Sequence, residues 1–173
     1  MVHHIATLPR HREADRARRG RNLRRAGVAV LCVLVAAGLT GALGPRAGTV
    51  RADGGGYELS IRYGQVTRPS IPVPLEITVR RDGGFAGPVT LSISSDLLDR
   101  IDFNDWYPNP DAETAGPTVV EYEFAPPSGE VLHVLLDART APGQLPSTQR
   151  YAVAVVEQDT EVARATFRMT VLP

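Results

Sequence analysis

One uncharged run, residues 26–44, constrains this chain more than any other stretch. Its nineteen residues, AGVAVLCVLVAAGLTGALG, include no Asp, Glu, Lys or Arg. At about 1.5 Å per residue, a helix of that length covers roughly 28 Å, close to the hydrocarbon thickness of a bilayer. The run predicts a transmembrane signal-anchor helix over 26–44. It divides the rest of the chain into a basic tail (1–25), a short linker (45–56) and a β-rich domain (57–173).

Charge sets the expected orientation. Residues 1–25 hold eight arginines against Glu13 and Asp15, a formal +6, whereas residues 45–173 hold eleven arginines against seventeen acids, a formal −6. Basic residues flanking an apolar helix stay in the cytoplasm, so the tail is expected inside and the C-terminal domain outside the cell membrane. A cleaved secretory signal is the rival, with Thr40, Gly41 and Ala42 as a small-x-small site. The long basic leader and an apolar run longer than the roughly 7–15 residues of a signal core stand against it. Both readings place the domain outside the cytoplasm. A lipid-modified Cys32 is disfavoured because Leu31 precedes it, where a lipobox needs a small residue. Ala37 and Gly41, like Gly38 and Ala42, are small residues four apart, a candidate face for packing against another transmembrane helix.

In the tail, His3, His4 and His11 sit among arginines without the carboxylate or cysteine partners of a metal site. The segment is expected to be disordered at its start and helical over 13–25, setting topology and attracting anionic lipid. Arginine supplies all nineteen basic side chains and lysine none, as in proteins of GC-rich bacterial genomes. The only cysteine lies in the apolar run, so the exported domain has no disulfide and must hold by its core. Pro45 is expected to end the helix, and three consecutive glycines, 54–56, read as a flexible tether.

From residue 57 the dominant period is two, the mark of half-buried strands. Leu59, Ile61 and Tyr63 alternate with Ser60 and Arg62; Leu75, Ile77 and Val79 with Glu76 and Thr78; Val89, Leu91 and Ile93 with Thr90 and Ser92. Further strands are expected at 101–103, 120–124, 131–136, 151–156 and 163–171, with turns at 82–84 and 158–160. Seven or eight short strands without an amphipathic helix predict an all-β fold, an antiparallel sandwich.

The order VPLEITVRRDGG, GPVTLSIS, VLHVLLDARTAPG and YAVAVVEQDTEVARATFRMTV resembles the immunoglobulin-like modules of bacterial surface proteins, of the adhesion-related and NEW3-like kind. The resemblance covers about 115 residues and lies in strand pattern, not in a diagnostic motif; the Cys-Trp-Cys spacing of antibody domains is absent. It implies a spacer, an adhesive unit or an accessory part of a larger assembly, and it carries over no binding residue.

The segment 95–117 concentrates the polar chemistry. Asp102, Asn104, Asp105, Asn109 and Asp111 surround Trp106 and Tyr107. Four readings stand: a calcium loop, a sugar site with stacking aromatics, a protein-contact loop, and a solvated loop whose Trp106 caps the core. The EF-hand template fails, because Trp106 takes the place of its third ligand. No paired catalytic groups appear. His133 and Asp137 lie four residues apart on one strand, about 13 Å, beyond a direct hydrogen bond. Arg62, Arg80, Arg81, Arg164 and Arg168 are expected on solvent faces beside Glu58, Glu76, Glu121 and Glu123. The domain's acidic balance argues against nucleic acid as a partner. The expectation is a non-catalytic, single-pass membrane protein without a cofactor, whose partner is another membrane or envelope protein, with an envelope glycan as the alternative.

Overall fold

The computed structural model describes residues 10–39 and 44–173. The chain falls into two units, Met1–Gly44 and Pro45–Pro173.

In the first unit a single helix, α1 (Arg10–Leu39), runs from the basic tail into the apolar run. Its Arg, Ala and Leu residues are strong helix formers, and no proline interrupts it. Large aliphatic side chains point outward all round it: Leu23, Val28, Leu31, Leu34, Val35 and Leu39 are all exposed. A helix apolar on every side has no preferred face for water. Its Arg18–Leu39 stretch is long and apolar enough to cross a membrane. Of the expected packing residues, Ala37 and Gly38 lie in α1, and open space surrounds the position of a Cβ on Gly38. Gly41 and Ala42, with the cleavage site they would form, lie outside the described residues, as does much of the early tail. Gly44 is a bend and not helix, so the expected span is shortened at its end. Glycine followed by Pro45 cannot sustain the helical ladder.

The second unit is all β apart from one short helical turn. Its elements in order are β1 (Arg46–Gly54), β2 (Tyr57–Thr67), β3 (Pro72–Arg81), β4 (Val89–Ser94), α2 (Ser95–Leu98), β5 (Ile101–Tyr107), β6 (Ala112–Ala115), β7 (Val119–Phe124), β8 (Val131–Thr140), β9 (Ser147–Glu157) and β10 (Thr160–Val171). They form one curled sheet in the order β5-β8-β3-β2-β10-β9-β4-β7-β6, with β1 paired to β2. The period-two pattern dictates this arrangement: β8 alternates exposed and buried along its whole length. Leu59, Ile61, Ile77, Leu91, Phe124 and Val153 are at most 1% exposed and meet in one core.

Three expectations change. The sheet has ten strands, not seven or eight, and it is mixed. Residues Tyr57 to Tyr63 of β2 pair antiparallel with β3, then Val66 and Thr67 pair in parallel with Thr170 and Val171 of β10. The register of β1 against β2 shifts just there, between Arg46 and Ala47, and Tyr63 and Gly64 are buried in succession. An irregularity of this kind bends a strand and turns the residues beyond it in a new direction. The second change is β6, whose four residues are all exposed and so carry no apolar alternation.

The third concerns residues 45–56, expected as a flexible tether. They form β1 and a tight turn. Gly54 faces Tyr57, leaving Gly55 and Gly56 as a two-residue loop with φ of +58° and +80°. Two consecutive left-handed residues make the turn whose twist matches a β-hairpin. The glycines therefore supply conformation here, not slack. Gly54 also lies against β10: a Cβ there would sit 2.0 Å from the Val162 carbonyl oxygen.

That contact yields a first prediction. Gly54→Ala should destabilise the domain by about 1–3 kcal/mol, as forced overpacking does. Gly87→Ala, where a Cβ meets nothing within 4 Å, should stay within about 0.5 kcal/mol of wild type. Urea unfolding followed by far-UV circular dichroism measures both; a flexible tether would leave the two variants alike.

Candidate functional site on the outward face of β8

Strand β8 sends Leu132, Val134, Leu136, Ala138 and Thr140 into the core. The opposite set, Val131, His133, Leu135, Asp137 and Arg139, faces outward. A strand with one wet face ordinarily carries polar residues there. Here two of the five are aliphatic, and they remain exposed, Val131 at 45% and Leu135 at 37%. Tyr107 of β5 lies directly opposite Leu135 in register and is 56% exposed. On the other flank Glu76 opposes Leu135, Thr78 opposes His133 and Arg80 opposes Val131.

Charge pairs frame this apolar row. The Arg139 guanidinium donates to Asp102 Oδ2 from Nε at 2.8 Å and from Nη2 at 2.6 Å. Asn104 Nδ2 donates to Asp137 Oδ2 at 3.3 Å. Arg62 meets Glu76 at 2.5 Å, and Arg80 lies 3.4 Å from Asp82 and 3.7 Å from Glu130. Exposed pairs of this kind add roughly 0–1 kcal/mol each to stability, so their main effect is to give the row a polar border. Beside Val131 a shallow depression of about 400 Å³ opens over Ser60 and Thr78, walled by Arg51, Glu58 and Arg80. Arg81, expected on a solvent face, is instead drawn inward: its Nη1 donates to the Tyr57 hydroxyl at 2.5 Å and to Glu157 Oε1 at 3.2 Å.

The residues singled out in 95–117 divide among three places. Asp102, Asn104 and Tyr107 join the β8 face. Trp106 does not. It is 7% exposed and packs inside against Tyr122 (4.4 Å between ring centroids, tilted), Phe103 (5.8 Å, edge-on) and Phe124 (5.8 Å, tilted). Its ring is therefore buried in protein and offers no open face to a ligand. The third group builds the turn after β5. Asp105 Oδ1 accepts the Trp106 backbone N–H at 2.9 Å. The Asn109 amide, oriented to satisfy its neighbours, donates to the same Oδ1 at 2.9 Å and to the Trp106 carbonyl at 2.7 Å. The Asp111 backbone N–H donates to the Glu123 carbonyl at 2.7 Å, which fixes the start of β6. The acidic side chains thus disperse. Among the described residues, no three His, Cys, Asp or Glu side chains gather closely enough to hold a metal ion.

The sequence reading passed over Leu135 and Val131 as members of the site. The signal was present in VLHVLLD: apolar residues occupy both phases of a strand that needs them in only one.

Burial also sets the chemistry beneath this face. Tyr122, 2% exposed under the Trp106 ring, has its phenol pushed up to about 12, first by desolvation and then by the Glu113 charge. Burial likewise raises Tyr57 and Tyr151. No protein-family model, no curated protein and no solved structure matches this chain.

The tyrosines give a pH prediction. In the unfolded chain Tyr122 ionises near 10.0, but in the folded domain only near 12. The unfolded state therefore binds fewer protons between those values, and stability falls as pH rises through that window. Unfolding free energy should be flat with respect to these groups below about pH 10 and decline toward pH 12. Tyr122→Phe should flatten part of that decline in urea titrations at stepped pH; an identical slope would contradict it.

Proposed function

We propose that this chain is a non-catalytic, single-pass membrane protein whose β domain lies outside the cytoplasm and binds another membrane or cell-envelope protein, as an accessory or assembly subunit. The observation that carries the reading is the exposed row Tyr107, Leu135 and Val131 on an otherwise polar sheet face. An exposed tyrosine set among apolar neighbours inside a polar border is the kind of anchor on which protein interfaces depend, with the aliphatics adding apolar area around it.

The membrane part rests on α1 and on the eight arginines of residues 1–25, which favour an N-terminus inside and a C-terminal domain outside. An immunoglobulin-like sandwich remains the finer reading of the domain. It is supported by the single apolar core and by the way β2 passes from β3 to a parallel contact with β10. The glycan alternative loses its larger platform because Trp106 is inside, leaving Tyr107 as the exposed aromatic ring beside β8.

Cross-linking of the tagged full-length protein in native membranes, followed by mild solubilisation and mass spectrometry, tests the proposal. A stoichiometric membrane or envelope protein should be recovered. Tyr107→Ala should weaken that association by about 30-fold, the equivalent of a hot-spot loss of about 2 kcal/mol. Leu135→Asp should abolish it, with the circular dichroism spectrum unchanged. Recovery of the protein alone, or a partner retained at full yield by both variants, would sink the reading.

A further inference from the structure

We infer that the end of the β domain where β1 begins rests on the bilayer, with the loop 141–146 dipping its Leu145 side chain into the lipid interface. The inference rests on the reading of α1 as a membrane anchor and adds a second, peripheral contact with the same bilayer.

The pairings place several segments at that end. Arg46, the first residue of β1, lies opposite Val66, which also pairs with Thr170 of β10. The backbone N–H of Leu172 donates to the Thr67 carbonyl at 2.8 Å. The buried hydroxyls of Thr67 and Thr140 meet at 2.9 Å. The Thr140 N–H donates to the Ile71 carbonyl at 3.0 Å, and the Ser70 N–H to the Thr140 carbonyl at 2.9 Å. The loops 68–71 and 141–146 therefore flank the start of β1.

These loops carry two of the domain's exposed aliphatics. Leu145 is 78% exposed and Ile71 is 37% exposed. Exposed Arg46 and Arg68 stand beside them. An aliphatic tip with neighbouring cations is suited to a boundary of acyl chains and phosphates. Charge is mixed at both ends: exposed Asp96 and Asp99 lie beside Gln144 at this end, and the opposite turns bear exposed Asp53, Asp82, Glu130, Asp159 and Glu161, of which Asp82 and Glu130 face Arg80 and Glu161 pairs with Arg164.

Chain length supplies the occupant. Residues 40–45 are all that separate Leu39 of α1 from Arg46 of β1, a path of at most about 25 Å. Because β1 is a paired strand and not slack, no further length can be drawn from it. With α1 in the bilayer, this end of the domain is the one the chain holds near the lipid surface.

The test uses the full chain in vesicles of phosphatidylcholine and phosphatidylglycerol, with one nitroxide label at a time. Labels go on native Cys32, or on Pro146→Cys or Asp159→Cys in a Cys32→Ser background, and power saturation with oxygen and a nickel chelate reads depth. The expected result is a label at 146 about 5–10 Å below the phosphates. The label at 159 should be aqueous, and Leu145→Asp should return 146 to the aqueous value. If Cys32 reads as hydrocarbon while 146 is as aqueous as 159, or if Leu145→Asp leaves the depth at 146 unchanged, the inference is overturned and the anchor reading stands. An aqueous Cys32 overturns both.

Discussion

A ten-stranded sheet with one apolar face has to cover that face, and here it does so by curling onto itself. The closure depends on the contact of Trp106 with Tyr122 and Phe124. Strands β5 and β6 are the two ends of the sheet order, yet they are consecutive in the chain. The short turn between them, fixed by Asp105 and Asn109, carries the chain from one sheet end to the other. Trp106 fills the space between the two ends with the largest side chain available. Without that ring the inner faces of β7 and β8 would be left partly open to water at the seam, a loss of both burial and packing.

Much of this was legible. The alternation in β3, β8 and β10 is strong because each strand has one wetter and one dry face, and Gln158 and Asp159 adopt the left-handed conformations of the expected hairpin, with φ of 50° and 60°. What escaped has local causes. Three glycines look the same whether they give slack or a tight turn; only the partner β2 decides. The sequence AETA of β6 has no apolar residue large enough to reveal a period. The parallel contact of β2 with β10 involves two residue pairs more than a hundred positions apart, and no local pattern encodes it. The segment around Trp106 was legible only in part: one of the four readings already sets Trp106 against the core, but the strand expected at 101–103 stops short of it. The neighbours of Trp106 are polar, so the segment reads as a loop, whereas an irregularity between Phe103 and Asp105 sets the strand phase so that Trp106 turns inward and Tyr107 outward.

The same phase rule explains the candidate site. Once Trp106 is committed to the core, Tyr107 must face solvent, and register places it against Leu135. The apolar row is thus an outcome of strand geometry combined with an excess of aliphatics in β8. Its surrounding ion pairs are exposed and weak individually, yet they hold the borders of the row in defined positions. Arg139 is held by Asp102, and Arg62 by Glu76, which lies opposite Leu135.

The β1 hairpin has a mechanical consequence. If the domain is held by a partner at β8 while tension reaches it through Pro45, the load acts along the axis of β1. The ladder from Arg46 to Gly54 runs antiparallel to β2 over its whole length. Force in that direction strains its hydrogen bonds together, in shear, and does not open them one by one from an end. A true tether at 45–56 would have extended under the same load as an entropic spring. The paired strand instead resists extension, so a pull at Pro45 is borne by the sheet and not taken up by residues 46–54.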